Sequence, residues 1–203
     1  MADAVRSELA GAHEAREAAL AACRRVIRAC GLSIRAVHRG DTDRAADLVN
    51  DAQAALAEAQ AAVAPFPNVA HAGFVHDAEK EYAEARLTAA LVGGTTLPGH
   101  TVLGVQGPAW LNGLAEAASE LRRYLLDRLR AGRLEEAESL LAAMDDAYDV
   151  LVTVDFPDAI TGGLRRTTDA LRAVLERTRS DLTLTLVQSR LHRALEDQAG
   201  GLS

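Results

Sequence analysis

The 203-residue chain is predicted to fold as an all-α bundle of six or seven helices. Three observations carry that expectation. Aromatic residues make up only 3% of the chain while alanine is abundant; alanine has the highest helix propensity, whereas strands draw on β-branched and aromatic residues. Apolar residues recur at three- and four-residue steps over most of the sequence, the period of a helix face. The main interruptions of that period fall at glycine and proline, the residues that end helices. No linker divides the pattern, so residues 1–203 read as one helical domain with a substantial core, and 198–203 as its frayed end.

The first helix spans about Val5 to Arg39, with an apolar seam of Leu20, Cys23, Ile27, Cys30, Ile34 and Val37 whose spacing resembles a coiled coil. Gly40 ends it, and Asp41 or Thr42 caps the second helix, whose face runs Ala45, Leu48, Val49, Ala52, Ala55, Leu56, Ala59, Ala62 and Val63. Pro65-Phe66-Pro67 stops that helix, and a third covers Phe74 to about Val92. Gly93 to Gly107 is a glycine-rich loop holding Pro98. Pro108 suits the first turn of a fourth helix, which runs to Ala131 with Trp110, Leu114, Ala117, Ala118, Leu121 and Leu125 inward. A fifth, Leu134–Val152, buries Leu140, Leu141, Met144, Tyr148 and Leu151. After the turn at Asp155-Phe156-Pro157-Asp158, a last long helix covers roughly Thr161 to Asp197. Leu151–Asp155 and Leu182–Val187 have β-prone composition but sit inside helical pattern.

A net charge of −7 argues against a simple basic nucleic-acid binder. The charge is segregated, however. Between Ala18 and Gly40 there are five arginines and no acid, whereas acids dominate from Asp41 to Glu84. Arg24, Arg28, Arg35 and Arg39 share one stripe beside the seam. The ordinary fate of such a stripe is a solvated face, but solvated faces usually mix signs. The two cysteines, Cys23 and Cys30, stand two helical turns apart, too far for a disulfide, and read as small buried hydrophobes. There is no signal segment and no apolar run of membrane-spanning length. The expected compartment is the cytoplasm, with no membrane partner.

The third helix places Asp77, Glu81 and Glu84 at i, i+4 and i+7, a stripe of like charges that repel between two apolar flanks. The fourth carries Glu116 and Glu120 one turn apart. Carboxylate pairs on facing helices can hold divalent metal inside a bundle, and all-oxygen ligands favour Mg²⁺ or Mn²⁺ over Zn²⁺. A competing reading pairs Lys80 with Glu84 and Glu120 with Arg123 as helical surface ion pairs, the commoner outcome of such spacing. His38, His71, His76, His100 and His192 have no metal-ligand spacing. Asp145 and Asp146 read as solvated or capping. Arg165-Arg166 and Arg177–Arg179 fit either phosphate contact or pairing with Asp169, Glu176 and Asp181 on their own helix.

The order of motifs is more specific than any one of them. Ser-Ile-Arg-Ala-Val-His-Arg-Gly-Asp at 33–41 is followed by Ala-Gly-Phe-Val and Glu-Tyr-Ala-Glu-Ala within 71–85. Trp-Leu-Asn-Gly-Leu-Ala-Glu-Ala-Ala-Ser-Glu-Leu-Arg-Arg occupies 110–123, then come Met-Asp-Asp-Ala-Tyr-Asp from 144 and Asp-Phe-Pro-Asp-Ala-Ile-Thr-Gly-Gly-Leu-Arg-Arg from 155. Glu-Arg-Thr-Arg-Ser-Asp-Leu-Thr from 176 closes the series. Over nearly its whole length the chain resembles the translin/TRAX family in its prokaryotic branch.

That resemblance implies a translin-like helical fold assembled into a hollow homo-oligomer, typically an octamer, alone or with a paralogous subunit. It implies binding of RNA or single-stranded DNA, and for TRAX-type members a Mg²⁺-dependent endoribonuclease cutting inside the barrel. Glu81 and Glu84 match the family's Glu-Tyr-x-Glu acids. Glu116 and Glu120 match its Asp-x-x-x-Glu acids, with Glu116 in place of the usual aspartate and Ser119 in place of the usual glycine. These four are the expected catalytic and metal-holding residues, and Arg24, Arg28, Arg35 and Arg39 the expected nucleic-acid contacts. The alternative expectation is a non-catalytic oligomer that binds RNA or single-stranded DNA, with structural acids.

Overall fold

A computed structural model describes residues 2–200. Among them are six long helices and three of a single turn, with no strand. The long helices are α1 (Ala2–His38), α2 (Thr42–Val63), α4 (Phe74–Gly93), α6 (Gly107–Arg130), α7 (Leu134–Val152) and α9 (Leu164–Gly200). The single turns α3 (Pro67–Ala70), α5 (His100–Leu103) and α8 (Asp158–Thr161) sit where proline or glycine interrupts the pattern. The segment 198–200 continues α9 as helix, and the last three residues of the expected frayed end lie outside the described residues.

The caps follow from local chemistry. Asp41 accepts a hydrogen bond from the Arg44 backbone N–H at 3.2 Å, which satisfies one free donor at the start of α2. The expected last helix, roughly Thr161 to Asp197, runs unbroken from Leu164 to Gly200, with the single turn α8 set apart ahead of it. Gly162 and Gly163 both take positive φ, 63° and 82°, a backbone region that glycine enters without steric cost.

Hairpin α1–α2 packs on α4, α4 packs on α6, and α6 packs on α7 and α9. Helix α4 is therefore internal, with Val75, Ala78, Tyr82, Ala83, Ala85, Leu87 and Thr88 all buried. Ala83 of α4 faces Gly113 of α6, so the two backbones come close. One apolar core connects the six long helices.

The seam of α1 differs from expectation in one respect. Val26 is fully buried while Ile27 is 41% exposed. Helix α1 lies between α2 and α4, and two neighbours rotate the buried arc away from the stripe that a single partner would select. No described helix is long and apolar enough to cross a membrane.

Candidate metal centre

The crossing of α4 and α6 is set by Gly113. A Cβ at that position would lie 2.8 Å from the Ala83 Cβ and 2.9 Å from the Lys80 carbonyl oxygen, distances that real side chains do not tolerate. Contact this close sets Glu81 and Glu84 of α4 opposite Glu116 and Glu120 of α6.

One carboxylate oxygen from each of Glu81, Glu84 and Glu116 comes within 4.8 Å of the others. Among the described residues this is the one group of three or more such side chains placed to hold a metal ion. Glu84 is buried, while Glu81 and Glu116 are half-buried. Glu120 stands beside the trio but turns toward α1, where its Oε2 lies 2.9 Å from His38 Nε2. The His38 side chain is only 3% exposed, and its Nδ1 is buried without a hydrogen-bond partner among the described residues.

The electrostatics are those of crowded acids. Burial pushes the Glu84 carboxyl up to about 8, reinforced by the charges of Glu116, Glu81 and Glu120 and opposed by Lys80. Burial also raises Glu81; the Lys80 ammonium partly offsets this, and the charges of Glu116 and Asp77 add to it. Glu120 moves the other way, because its hydrogen bond with His38 outweighs the cost of burial. Asp77 itself is exposed, and it acts on the centre through its charge rather than as a member.

The surface ion pairs suggested by helical spacing do not form. Lys80 reaches across to α6, 2.8 Å from Glu116 Oε1, and lies 3.6 Å from Glu81 Oε1, rather than pairing with Glu84. Burial pulls its ammonium down, but the hydrogen bond to Glu116 and the surrounding acids outweigh that and hold it above its ordinary value. Glu120 pairs with His38 rather than Arg123. On α9, Arg179 pairs with Glu176 as expected and also with Asp145 of α7, at 2.6 Å.

Three supporting residues had no local signal in the sequence. Gly113 carries the crossing. Buried Glu79 accepts hydrogen bonds from Gln60 Nε2 at 2.7 Å and from the Gln106 backbone N–H at 3.0 Å, fastening the start of α6 to α2 and α4. Asn112 donates to the Thr161 carbonyl oxygen at 2.8 Å and accepts from Thr167 at 2.7 Å, which ties α6 to the α8–α9 junction. The cysteines are free and buried, and burial with the nearby Glu81 and Glu84 charges pushes the Cys30 thiol up to about 12. Such a thiol is inert.

Arg24, Arg28 and Arg35 are exposed on α1, and Arg39 is exposed in the turn just past its end. None of them forms an ion pair among the described residues. Arg35 and Arg39 flank in sequence the His38 that contacts Glu120. Arg28 also borders a cleft of about 420 Å³ between α1 and α2, near the Arg25–Glu58 ion pair.

No protein-family model matches the chain. It is 27% identical over 197 residues to an uncharacterized protein of Methanocaldococcus jannaschii, MJ0175, covering 96% of this chain and 87% of the relative. The crystal structure of AfC3PO superposes with a TM-score of 0.84 at 31% identity, over 92% of this chain and 97% of that one. AfC3PO in complex with duplex RNA gives 0.80 at 30% identity, over 92% and 96%. Apo-NeC3PO gives 0.82 at 17% identity, over 90% and 96%, a likeness of fold.

Proposed function

The chain belongs to the translin/TRAX family, and from that premise we propose that it is a cytoplasmic RNA- or single-stranded-DNA-binding oligomer that cleaves RNA as a Mg²⁺- or Mn²⁺-dependent endoribonuclease. The observation that carries this reading is the convergence of Glu81, Glu84 and Glu116 within 4.8 Å. The donor set fits a hard divalent ion. It is all oxygen, it is held by two packed helices, and its span is close to the ~4.2 Å between opposite ligands around Mg²⁺ at ~2.1 Å. Glu81, Glu84 and Glu116 would hold the ion, with Glu120 completing the set from its hydrogen bond to His38.

When bound, such an ion supplies a water activated for attack on a phosphodiester and a positive charge facing the phosphoryl oxygens. The chain's own residues do the rest. Buried Glu84 and half-buried Glu81 fix the position of the centre on α4. His38 holds the Glu120 carboxylate in one orientation, the part a buried imidazole plays behind a ligating acid. Arg24, Arg28, Arg35 and Arg39 offer unpaired guanidinium groups to the phosphate backbone, suited to forked contacts with phosphate and to stacking on bases. AfC3PO bound to duplex RNA is a relative for which such a complex exists.

Assembly is supported by apolar surface that the chain leaves uncovered. Leu184, Val187, Leu191 and Leu195 form one exposed stripe along α9, and Val5 and Leu9 are exposed on α1. We propose that copies of the chain cover these stripes, forming a hollow homo-oligomer of the octameric kind, alone or with a paralogous subunit.

A second reading has its own support. Lys80 already neutralises Glu116 and Glu81, and His38 engages Glu120, as acids with a purely structural role would require. Incubation with labelled single-stranded RNA and Mg²⁺ separates the two readings. The endoribonuclease yields fragments that vanish in Glu84→Gln while RNA binding persists. A binder with structural acids yields a shifted band and no fragments.

A further inference from the structure

Lys80 is the only lysine in the chain, and its side chain is committed to the acid cluster. The ammonium lies 2.8 Å from Glu116 Oε1 and 3.6 Å from Glu81 Oε1. These are two of the three carboxylates that converge within 4.8 Å. It is not a loose surface pair, since all three side chains are partly buried, with Lys80 at 23% exposure. A cation held by these same oxygens would meet the ammonium at contact distance, where like charges repel strongly in a partly dehydrated site. Glu84, the most buried of the trio, makes no ion pair with Lys80 among the described residues.

The identity of residue 116 matters to this contact. Glu116 reaches Lys80 from α6 across the Gly113 crossing, and an aspartate there would end about one C–C bond, ~1.5 Å, short. The length of the glutamate side chain at 116 is thus what closes the contact with Lys80.

We propose that Lys80 is the resident counter-cation of the metal centre: without metal its ammonium bridges Glu81 and Glu116, and a divalent ion binds by displacing it. The inference rests on the metal-centre reading above. Glu84 makes no ion pair with Lys80 among the described residues, so the ammonium has to leave only Glu81 and Glu116. Metal binding is then an exchange of one cation for another, weaker than the number of carboxylates would suggest, and it releases the Lys80 side chain toward solvent.

Because the chain has a single ε-amine, the exchange can be read in the unsubstituted 203-residue chain. Amine acetylation mapped by peptide mass, with Mn²⁺ titrated in and Mn²⁺ binding followed by calorimetry, reports Lys80 and the ion together. The expected result is a several-fold faster modification of Lys80 as Mn²⁺ saturates, and at least tenfold tighter Mn²⁺ binding by Lys80→Met. Mn²⁺ binding to the wild-type chain with Lys80 modification unchanged or slowed overturns the displacement and leaves the metal centre standing. Failure of wild type and Lys80→Met alike to bind Mn²⁺ overturns both. If Lys80→Met does not fold, the labelling of wild type decides alone.

Discussion

Gly113 and Ala83 face each other so closely that a methyl group on Gly113 would sit 2.8 Å from the Ala83 methyl. The Lys80 carbonyl oxygen and the Glu84 amide nitrogen would stand 2.9 and 3.0 Å away. The obstacle on α4 is largely backbone, which cannot swing aside as a flexible side chain would. Gly113→Ala is therefore expected to push the two helices apart and cost about 1–3 kcal/mol, read as a lower denaturation midpoint. The same change should weaken Mn²⁺ binding, because it widens the gap between Glu81–Glu84 and Glu116.

Glu84 links stability to pH. Its carboxyl, ordinarily at 4.5, is pushed up to about 8 in the folded chain by burial and by the acids around it. A raised folded value means that the native state holds the proton more tightly than the unfolded state. The contribution is fully present below about 4.5 and is lost as pH rises through about 8. Urea denaturation in EDTA should therefore show stability falling by up to a few kcal/mol as pH rises from about 4.5 to about 8, and no further change from this group above that. Glu84→Gln should flatten the slope, and Mg²⁺ or Mn²⁺ should flatten it in wild type.

His38 acts through Glu120. Removing the imidazole in His38→Ala leaves that carboxylate without its 2.9 Å partner. Loss of such a supporting group commonly reduces metal affinity or activity 10–100-fold, and a loss of that size in Mg²⁺-dependent cleavage is expected, with RNA affinity unchanged. His38→Asn, which keeps a donor, should recover part of it.

The basic stripe should behave in the opposite way. Arg24→Ala/Arg28→Ala and Arg35→Ala/Arg39→Ala double variants are expected to weaken RNA binding and leave Mn²⁺ binding intact. For single strands the slope of log K against log salt should drop by roughly 0.7 for each phosphate contact removed. An unchanged slope in both would place the nucleic acid on another face.

Much of this was legible in the sequence because helices repeat. Element order, the face of α2 and the two acid pairs follow from local period, and α7 spans Leu134–Val152 as expected. The remainder depends on partners far along the chain. His38 is separated from Glu120 by 82 residues, so no spacing rule connects them. Lys80 had a sound helical partner in Glu84, yet it chose Glu116 because the α4–α6 crossing brings that carboxylate nearer than the neighbouring turn. Gly113 carried no signal of its own in the sequence, and its role emerges only from the backbone packed against it. Ile27 kept the seam's period but lost its burial once α1 had two neighbours to satisfy.

Helix α9 outruns the body that supports it. From Arg190 to Ala199 every residue is exposed, a stretch of about 15 Å at the rise of an α-helix. An isolated segment of that length is marginal as a helix in water, and here it carries Leu191 and Leu195 outward. In the proposed assembly its order would be linked by mass action to the copy that covers that leucine edge. On that proposal, dilution should erode the ellipticity of the last turns before it touches the acid centre, so far-ultraviolet signal would follow subunit concentration.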